Sequence, residues 1–434
     1  MTRRNFLAAT GLAAAPLIVP SSVFGQNAPS NRLNIGCIGV RSMGHANINQ
    51  SINFPDVRIA ALCDIDSHLL AERMGQIHAH YDNEDCRGYS DYRELLEQED
   101  LDIVIIATPD HWHAPIGIAA ARKGLDVYGE KPLTHTHAEG KKLVAVTQEE
   151  GTIWQTGSQQ RSQGHFRRAA EIAQSGVLGD ITFAEVGLPS GHIYPPADGD
   201  FDVPDHIDYD MWCGPSPMIK FHPQRLHWDW RWHYHFGAGQ MMDWIGHHND
   251  IMHWMMGLEN TSPVEVQMTE YDRPQDQSVW NAAFRYEYYC TYANGLRSRV
   301  TNRARRGVTL FGSEGWINVS RSGLETSNPA WADSNYDLGE VDVYRSDNHW
   351  RNFLDCVKSR ETPIAPPEVA HRSATPGHLA LISAEVGSAV KFDPETEEIV
   401  DNEDAAKLLR QEGDKMPWKP WRTDWCEDYL REDA

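Results

Sequence analysis

Leu33-Asn34-Ile35-Gly36-Cys37-Ile38-Gly39-Val40-Arg41-Ser42-Met43-Gly44 is the stretch on which the fold turns. Its first six residues form a short, largely apolar run that predicts a strand. Gly39 to Gly44 then predicts a tight turn opening directly into a helix. The turn departs from Gly-x-Gly-x-x-Gly, because Arg41 stands where a middle glycine would let the backbone approach a bound phosphate. Alone it is a weak signal, so its flanks decide. Val57 to Cys63 reads as a second strand, and Leu101 to Ala107 as a third, apolar enough to be buried on both faces. Leu125 to Tyr128 and Ile153-Trp154-Gln155 read as later short strands. Ser67 to Tyr81 and Ala114 to Lys123 carry helical spacing between them. This alternation predicts an α/β Rossmann domain with a parallel sheet over residues 31–155.

After Gly157 the texture changes. Ser162 to Ser175 is helix-like and Ile181 to Val186 strand-like, and an aromatic and histidine-rich region runs from Ile193 to Trp254. Trp280 to Tyr292, Leu296 to Val300 and Val308 to Phe311 follow as strands separated by Gly/Asn turns. Successive strands of that length predict an α+β domain with a largely antiparallel sheet. Asn348 to Ser359 and His371 to Val390 return to helical spacing. The second domain is placed at 156–400, and 401–434 is read as a C-terminal tail packing back on the body.

Asp64 closes the second strand, 20 residues beyond Gly44. A carboxylate there hydrogen-bonds ribose hydroxyls and repels a 2′-phosphate, which favours NAD over NADP. Gly39, Arg41, Ser42, Met43, Gly44 and Asp64 are therefore the candidate cofactor residues. A Rossmann-like domain using another nucleotide, or none, is the rival reading.

A net charge of −23 excludes nucleic acid and anionic membrane surfaces as partners. Thr2-Arg3-Arg4-Asn5-Phe6-Leu7 precedes an apolar stretch, Ala8 to Val19, too short to span a membrane. The arginine pair matches a twin-arginine export signal, with an ordinary secretory signal as the alternative. Residues 1–30 are read as signal peptide and linker, cleaved near Gly25, and the mature protein as periplasmic, with no stable membrane insertion. The seven cysteines have no paired spacing, so buried thiols are expected rather than disulfides, and no structural zinc.

Asp64-x-Asp66, Ala107-Thr108-Pro109-Asp110-His111-Trp112-His113 and Glu130-Lys131-Pro132 resemble the Gfo/Idh/MocA oxidoreductases. So do Gly239-x-x-x-Asp243-x-x-x-His247-x-x-Asp250 and Gly312-Ser313-Glu314-Gly315-Trp316. The resemblance spans nearly the whole mature chain in order. It implies a Rossmann domain plus an open, mostly antiparallel sheet, with the nucleotide between them. It places Thr108, Pro109, His111, His113, Glu130 and Lys131 at the cofactor. It also implies a homodimer or homotetramer formed through the open sheet.

Removing a hydride from a carbinol carbon needs a base for the hydroxyl proton and a cation to steady the developing alkoxide. The resemblance gives Lys131 the second task, His247 the first, and Asp243 the role of partner to His247. Asp243 and His247 are four apart and share a helix face. A carboxylate beside an imidazole is expected to raise its pKa. Asp250 is read as structural. A metal held by Asp243, His247, His248 and Asp250, or by the histidines at 222, 227, 233, 235 and 253, is the rival reading, and none is expected because hydride transfer needs none. Trp112, Trp232, Arg161, Asp243 and His247 are the candidate substrate contacts. Most of the other tryptophans, Trp228 included, are read as core.

These readings converge on an NAD-dependent oxidoreductase acting on a secondary hydroxyl of a sugar, glycoside or cyclitol, with its NAD tightly held. The alternatives are an NAD-dependent glycoside hydrolase working through transient sugar oxidation, and a non-enzymatic nucleotide-dependent binding protein.

Overall fold

The structure, a computed structural model, describes residues 32–98, 100–193, 199–274 and 279–412. The expected signal peptide, its cleavage site, Cys426 and residues 413–434 of the tail lie outside the described residues.

The first sheet is built from β1 (Leu33–Ile38), β2 (Val57–Cys63), β3 (Arg87–Tyr89), β4 (Ile103–Ile106), β5 (Asp126–Gly129) and β6 (Trp154–Thr156). Every pairing is parallel and the spatial order is β3-β2-β1-β4-β5-β6. The order reverses beside β1, so the ends of β1 and β4 open the crevice where such sheets take ligands. Helices α1 (Ser42–Ser51), α2 (Ser67–Tyr81), α3 (Tyr92–Leu96), α4 (His113–Arg122) and α5 (His137–Glu149) connect the strands. Both α2 and α5 are fixed at their starts by their sequence: Asp66 accepts from the His68 and Leu69 amides, and Thr136 with Glu139 forms a reciprocal capping box.

The second sheet has nine strands. They are β7 (Ile181–Gly187), β8 (Glu265–Asp272), β9 (Arg285–Thr291), β10 (Arg297–Thr301), β11 (Gly307–Gly312), β12 (Gly315–Ser320), β13 (Gly323–Thr326), β14 (Val390–Asp393) and β15 (Glu398–Val400). Their order is β13-β12-β11-β7-β10-β9-β8-β14-β15, antiparallel throughout except for β7 with β10. One face is covered by α6 (Gly164–Gln174), α8 (Gly239–Met256) and α10 (Pro367–Val386), and α7 (Tyr209–Cys213) lies in the long connection before α8. The other face carries charged ladders, such as Arg299 between Glu185 and Glu287. The described part of the tail forms α11 (Glu403–Leu409), whose Ala405, Ala406 and Leu409 join the same core.

The boundary at residue 155 is not a clean division. Helix α9 (His349–Ser359) belongs by sequence to the second domain, yet packs on the first. Trp350, Phe353, Leu354 and Val357 recur at helical spacing and enter the core beside Ile35, Val57 and Tyr128. The Trp350 ring stacks on Tyr128 with centroids 4.0 Å apart. Asp56 holds Arg351 and Lys358, and Asp126 holds Arg360. The six described cysteines are buried, and none of them forms a disulfide among the described residues.

Candidate functional site

A long cleft runs from the end of β1 across the end of β4 to the 226–231 segment of the second domain. Gly39, Arg41, Ser42, Met43, Asp64, Thr108, Pro109, His113, Glu130 and Lys131 all line it. The cradle exists because two glycines make room. Gly39 has φ +81, and a Cβ there would lie 2.7 Å from the Ala107 carbonyl oxygen. A Cβ on Gly44 would stand 1.8 Å from the Gly39 carbonyl oxygen, so only glycine lets α1 start against the turn. The missing middle glycine is accommodated differently: Arg41 is the extended N-cap of α1 and Ser42 takes the left-handed φ of 42°.

Asp64 accepts from the Val40 amide at 2.9 Å and from the Asp66 amide at 3.0 Å, which aims its carboxylate along the cleft floor. Burial raises its pKa despite those two amides. Glu130 accepts from Asn47 of α1 at 2.9 Å, and a Cβ on Gly157 would strike its carboxyl. Glu130 therefore ties α1 to the turn that presents Lys131, and burial raises its pKa. The Lys131–Pro132 peptide is cis. His113 is locked by the carbonyls of Pro132 and Thr108, at 2.8 and 3.0 Å.

Lys131 crosses from the first domain to the second. Its Nζ donates to the Asp243 carbonyl at 2.8 Å and to Asp243 Oδ1 at 3.0 Å, and Arg231 Nε reaches the same oxygen at 3.1 Å. Gly246 on α8 allows the approach, since a Cβ there would be 3.1 Å from Lys131 Cβ. Burial would raise the Asp243 carboxyl, but Lys131 and Arg231 outweigh it and hold it below the usual carboxylate range. Asp110, unremarked as a candidate from sequence, lies in the same cluster and lines the cleft. Burial first and the neighbouring Asp243 second push its pKa up to about 8, against Arg231 and Lys131. Two carboxyls beside the same cations thus hold different protonation states at neutral pH. The signal for Asp110 was its place straight after β4 at the crevice.

His247 lies one turn beyond Asp243 on α8, buried, with Nδ1 lacking a hydrogen-bond partner. The expected Asp243–His247 pair does not form, because the carboxylate is turned to Lys131 and Arg231. Burial, and then Lys131, Arg321 and His248, push the His247 pKa well below the ordinary imidazole value, the reverse of the expected rise.

Several other expectations are corrected. Arg161 is no substrate contact: it is 1% exposed, bonded bidentately to Asp250 at 2.7 and 2.9 Å and paired with Glu259. Asp250 is accordingly structural. His111 sits fully buried against the Trp212 carbonyl and is not among the cleft residues. Trp112 lines the cleft, but its Nε1 is spent on the carbonyls of Met211 and Trp212 and its ring belongs to the core. Trp232 is 4% exposed, its ring tilted against that of His192 and packed on Val279 and Trp280. The rival metal set is dispersed: Asp250 holds Arg161, His248 the Gly187 carbonyl and His253 the Tyr292 hydroxyl. Among the described residues, the donors close enough for a metal are His137, His371 and Glu397.

Residues 33–158 match the family model described as oxidoreductase family, NAD-binding Rossmann fold, and residues 198–420 match that of the oxidoreductase family C-terminal alpha/beta domain. A glycosyl hydrolase family 109 protein of Shewanella sp. (strain ANA-3) is 33% identical over 168 residues, which cover 33% of this chain and 36% of that protein. The chain thus spans about a third of the length of the curated relatives it matches. The WlbA dehydrogenase of Bordetella pertussis, solved with NADH and UDP-GlcNAcA, aligns with a TM-score of 0.61 at 15% identity, over 83% of this chain and 99% of that one. A myo-inositol 2-dehydrogenase of Lactobacillus plantarum aligns with a TM-score of 0.57 at 16% identity, over 83% and 100%. At these identities the likeness is one of fold.

Proposed function

The chain belongs to the Gfo/Idh/MocA oxidoreductase family, and from that premise we propose that it is an NAD-dependent dehydrogenase oxidising a secondary hydroxyl of a sugar, glycoside or cyclitol. The observation that carries this reading is the Lys131–Asp243–Arg231 cluster against the nucleotide cleft, with His247 one turn further along α8. Bound NAD supplies the hydride acceptor. Two cations share one carboxylate, and Asp110 is neutral below about pH 8, so a positive charge is left over to stabilise a developing alkoxide. Burial, and then Lys131, hold the His247 pKa below the ordinary imidazole value, which favours the neutral form that a proton acceptor requires. The screen that tests the reading is nucleotide release followed by mass spectrometry, then NADH formation across a panel of sugars, glycosides and inositols. A protein that carries NAD and oxidises none of them overturns it.

Lys131→Ala is expected to lose about 10²–10³ in oxidation rate, the span of one preorganised charge-stabilising group. The loss is expected at every pH, measured by steady-state NADH formation. Asp64→Ala is expected to narrow the preference for NAD over NADP by about 1–3 kcal/mol, the worth of a charge-assisted hydrogen bond. Titration calorimetry with both nucleotides reads it, and a wild type that binds NADP more tightly contradicts the ribose role.

The glycoside hydrolase reading is favoured by the matched family 109 proteins. Aryl glycosides with catalytic NAD separate the two: aglycone release without NADH accumulation selects the hydrolase.

We further propose that the protein is exported by the twin-arginine machinery with its NAD already loaded, and that it works in the periplasm as a homodimer or homotetramer. The Arg3-Arg4 pair supports the first point. For the second, the uncovered face of the nine-stranded sheet, with Phe311 and Trp316 exposed, is a surface suited to a second copy. Arg3→Lys with Arg4→Lys is expected to strand folded, nucleotide-loaded protein in the cytoplasm. Normal export of that double variant on cell fractionation points to the general secretory route.

A further inference from the structure

Trp228-Asp229-Trp230-Arg231-Trp232 divides its tryptophans unequally. Trp230 and Trp232 are 5% and 4% exposed, whereas Trp228 is 53% exposed. Its ring packs on Arg231, which lines the cleft, and so offers an amphipathic contact surface at the cleft's edge. We propose that Trp228 is the platform of a second carbohydrate subsite, holding the pyranose ring next to the one that is oxidised. This rests on the dehydrogenase reading and narrows its substrate class to disaccharides and other glycosides with a second sugar ring.

Trp228 is exposed without being loose. The Arg231 guanidinium lies between two indoles, 4.4 Å from the centroid of Trp228 and 4.4 Å from that of Trp230. Its Nη1 donates to the Trp228 carbonyl at 3.1 Å, and its Nε donates to Asp243 Oδ1 at 3.1 Å. One side chain therefore fixes the exposed indole relative to the carboxylate that holds Lys131. A platform tied this way loses little conformational entropy when a ligand settles on it. Trp228 is not itself among the cleft residues, but the Arg231 guanidinium packed on its ring is, so the platform stands at the edge of the cleft.

The chemistry of the ligand follows from that of the ring. One indole face is taken by the guanidinium, and much of the remaining ring surface is open to water. The flat, apolar C–H face of a pyranose matches such a surface, while its rim of hydroxyls keeps hydrogen bonds to water and to nearby polar groups. A cyclitol or free monosaccharide bound at Lys131 has no second ring to place there.

The test uses the full chain loaded with NAD, and compares kcat/KM for a disaccharide with that for its methyl monoglycoside. Wild type is expected to prefer the disaccharide. Trp228→Ala is expected to reduce that preference about tenfold, and Trp228→Phe, which keeps a ring, to retain most of it. Equal losses on both substrates in Trp228→Ala, or no preference in wild type, overturn the subsite. Indole fluorescence adds a readout that does not depend on turnover. A disaccharide-induced change present in wild type and absent in Trp228→Phe supports the subsite even where no sugar is oxidised, an outcome in which the dehydrogenase reading fails alone.

Discussion

Replacing His247 by alanine is expected to lower the oxidation rate by about 10²–10⁴, the contribution of one general base, while NAD binding persists. The pH profile carries the sharper information. A base must be unprotonated to accept, and burial with nearby Lys131 depresses the His247 pKa well below its ordinary value. Wild-type oxidation is therefore expected to fall only on acidification below the usual imidazole range, and that acid limb should vanish in His247→Ala. On the alkaline side Asp110 ionises near pH 8 and cancels the spare positive charge beside the reacting oxygen. Oxidation is expected to decline there, and Asp110→Asn to remove the decline while leaving the acid limb in place. Steady-state rates of the three proteins across the pH range decide it. An acid limb that survives in His247→Ala assigns the base elsewhere.

The second large effect concerns stability. Arg161 and Asp250 are a buried pair at 1% and 2% side-chain exposure. Removing one partner leaves the other as an uncompensated buried charge, which costs about 3–5 kcal/mol. Arg161→Ala is expected to lower the unfolding free energy by that amount in urea titration. The double variant Arg161→Ala with Asp250→Ala is expected to recover part of it, because the orphan charge has gone. A variant of normal stability with a raised KM for sugar would instead return Arg161 to the binding site.

What the sequence disclosed and what it withheld divide along physical lines. The parallel sheet was legible because strands buried on both faces are apolar throughout, as in Ile103–Ile106, all four of which are buried. Ser67–Tyr81 was legible in both bounds because Asp66 caps its start and Asp82 takes the left-handed conformation at its end. Glu130 and Lys131 were legible from their motif and do line the cleft. Partnerships across the chain were not legible. Spacing puts Asp243 and His247 on one helix face, but two cations from elsewhere outbid the imidazole for the carboxylate. Burial of the tryptophans was equally hidden: composition cannot tell that Trp112 and Trp232 turn inward while Trp228 faces water. The position of Asp110 beyond β4 was readable, but its raised pKa was not, since that is a property of the surrounding cluster.

Helix α9 bears on the order in which this molecule can be made. The first domain's core includes Trp350, Phe353, Leu354 and Val357, which leave the ribosome some two hundred residues after β6 (Trp154–Thr156). Until they arrive, Tyr128, Ile35 and their neighbours lack their covering layer, so the nascent nucleotide domain is incomplete and prone to stick. A fragment ending at Thr156 is for the same reason no independent unit. The cleft for NAD matures only when almost the whole chain has been synthesised. The first domain is thus clasped by a segment returning from the second, and is not finished without it.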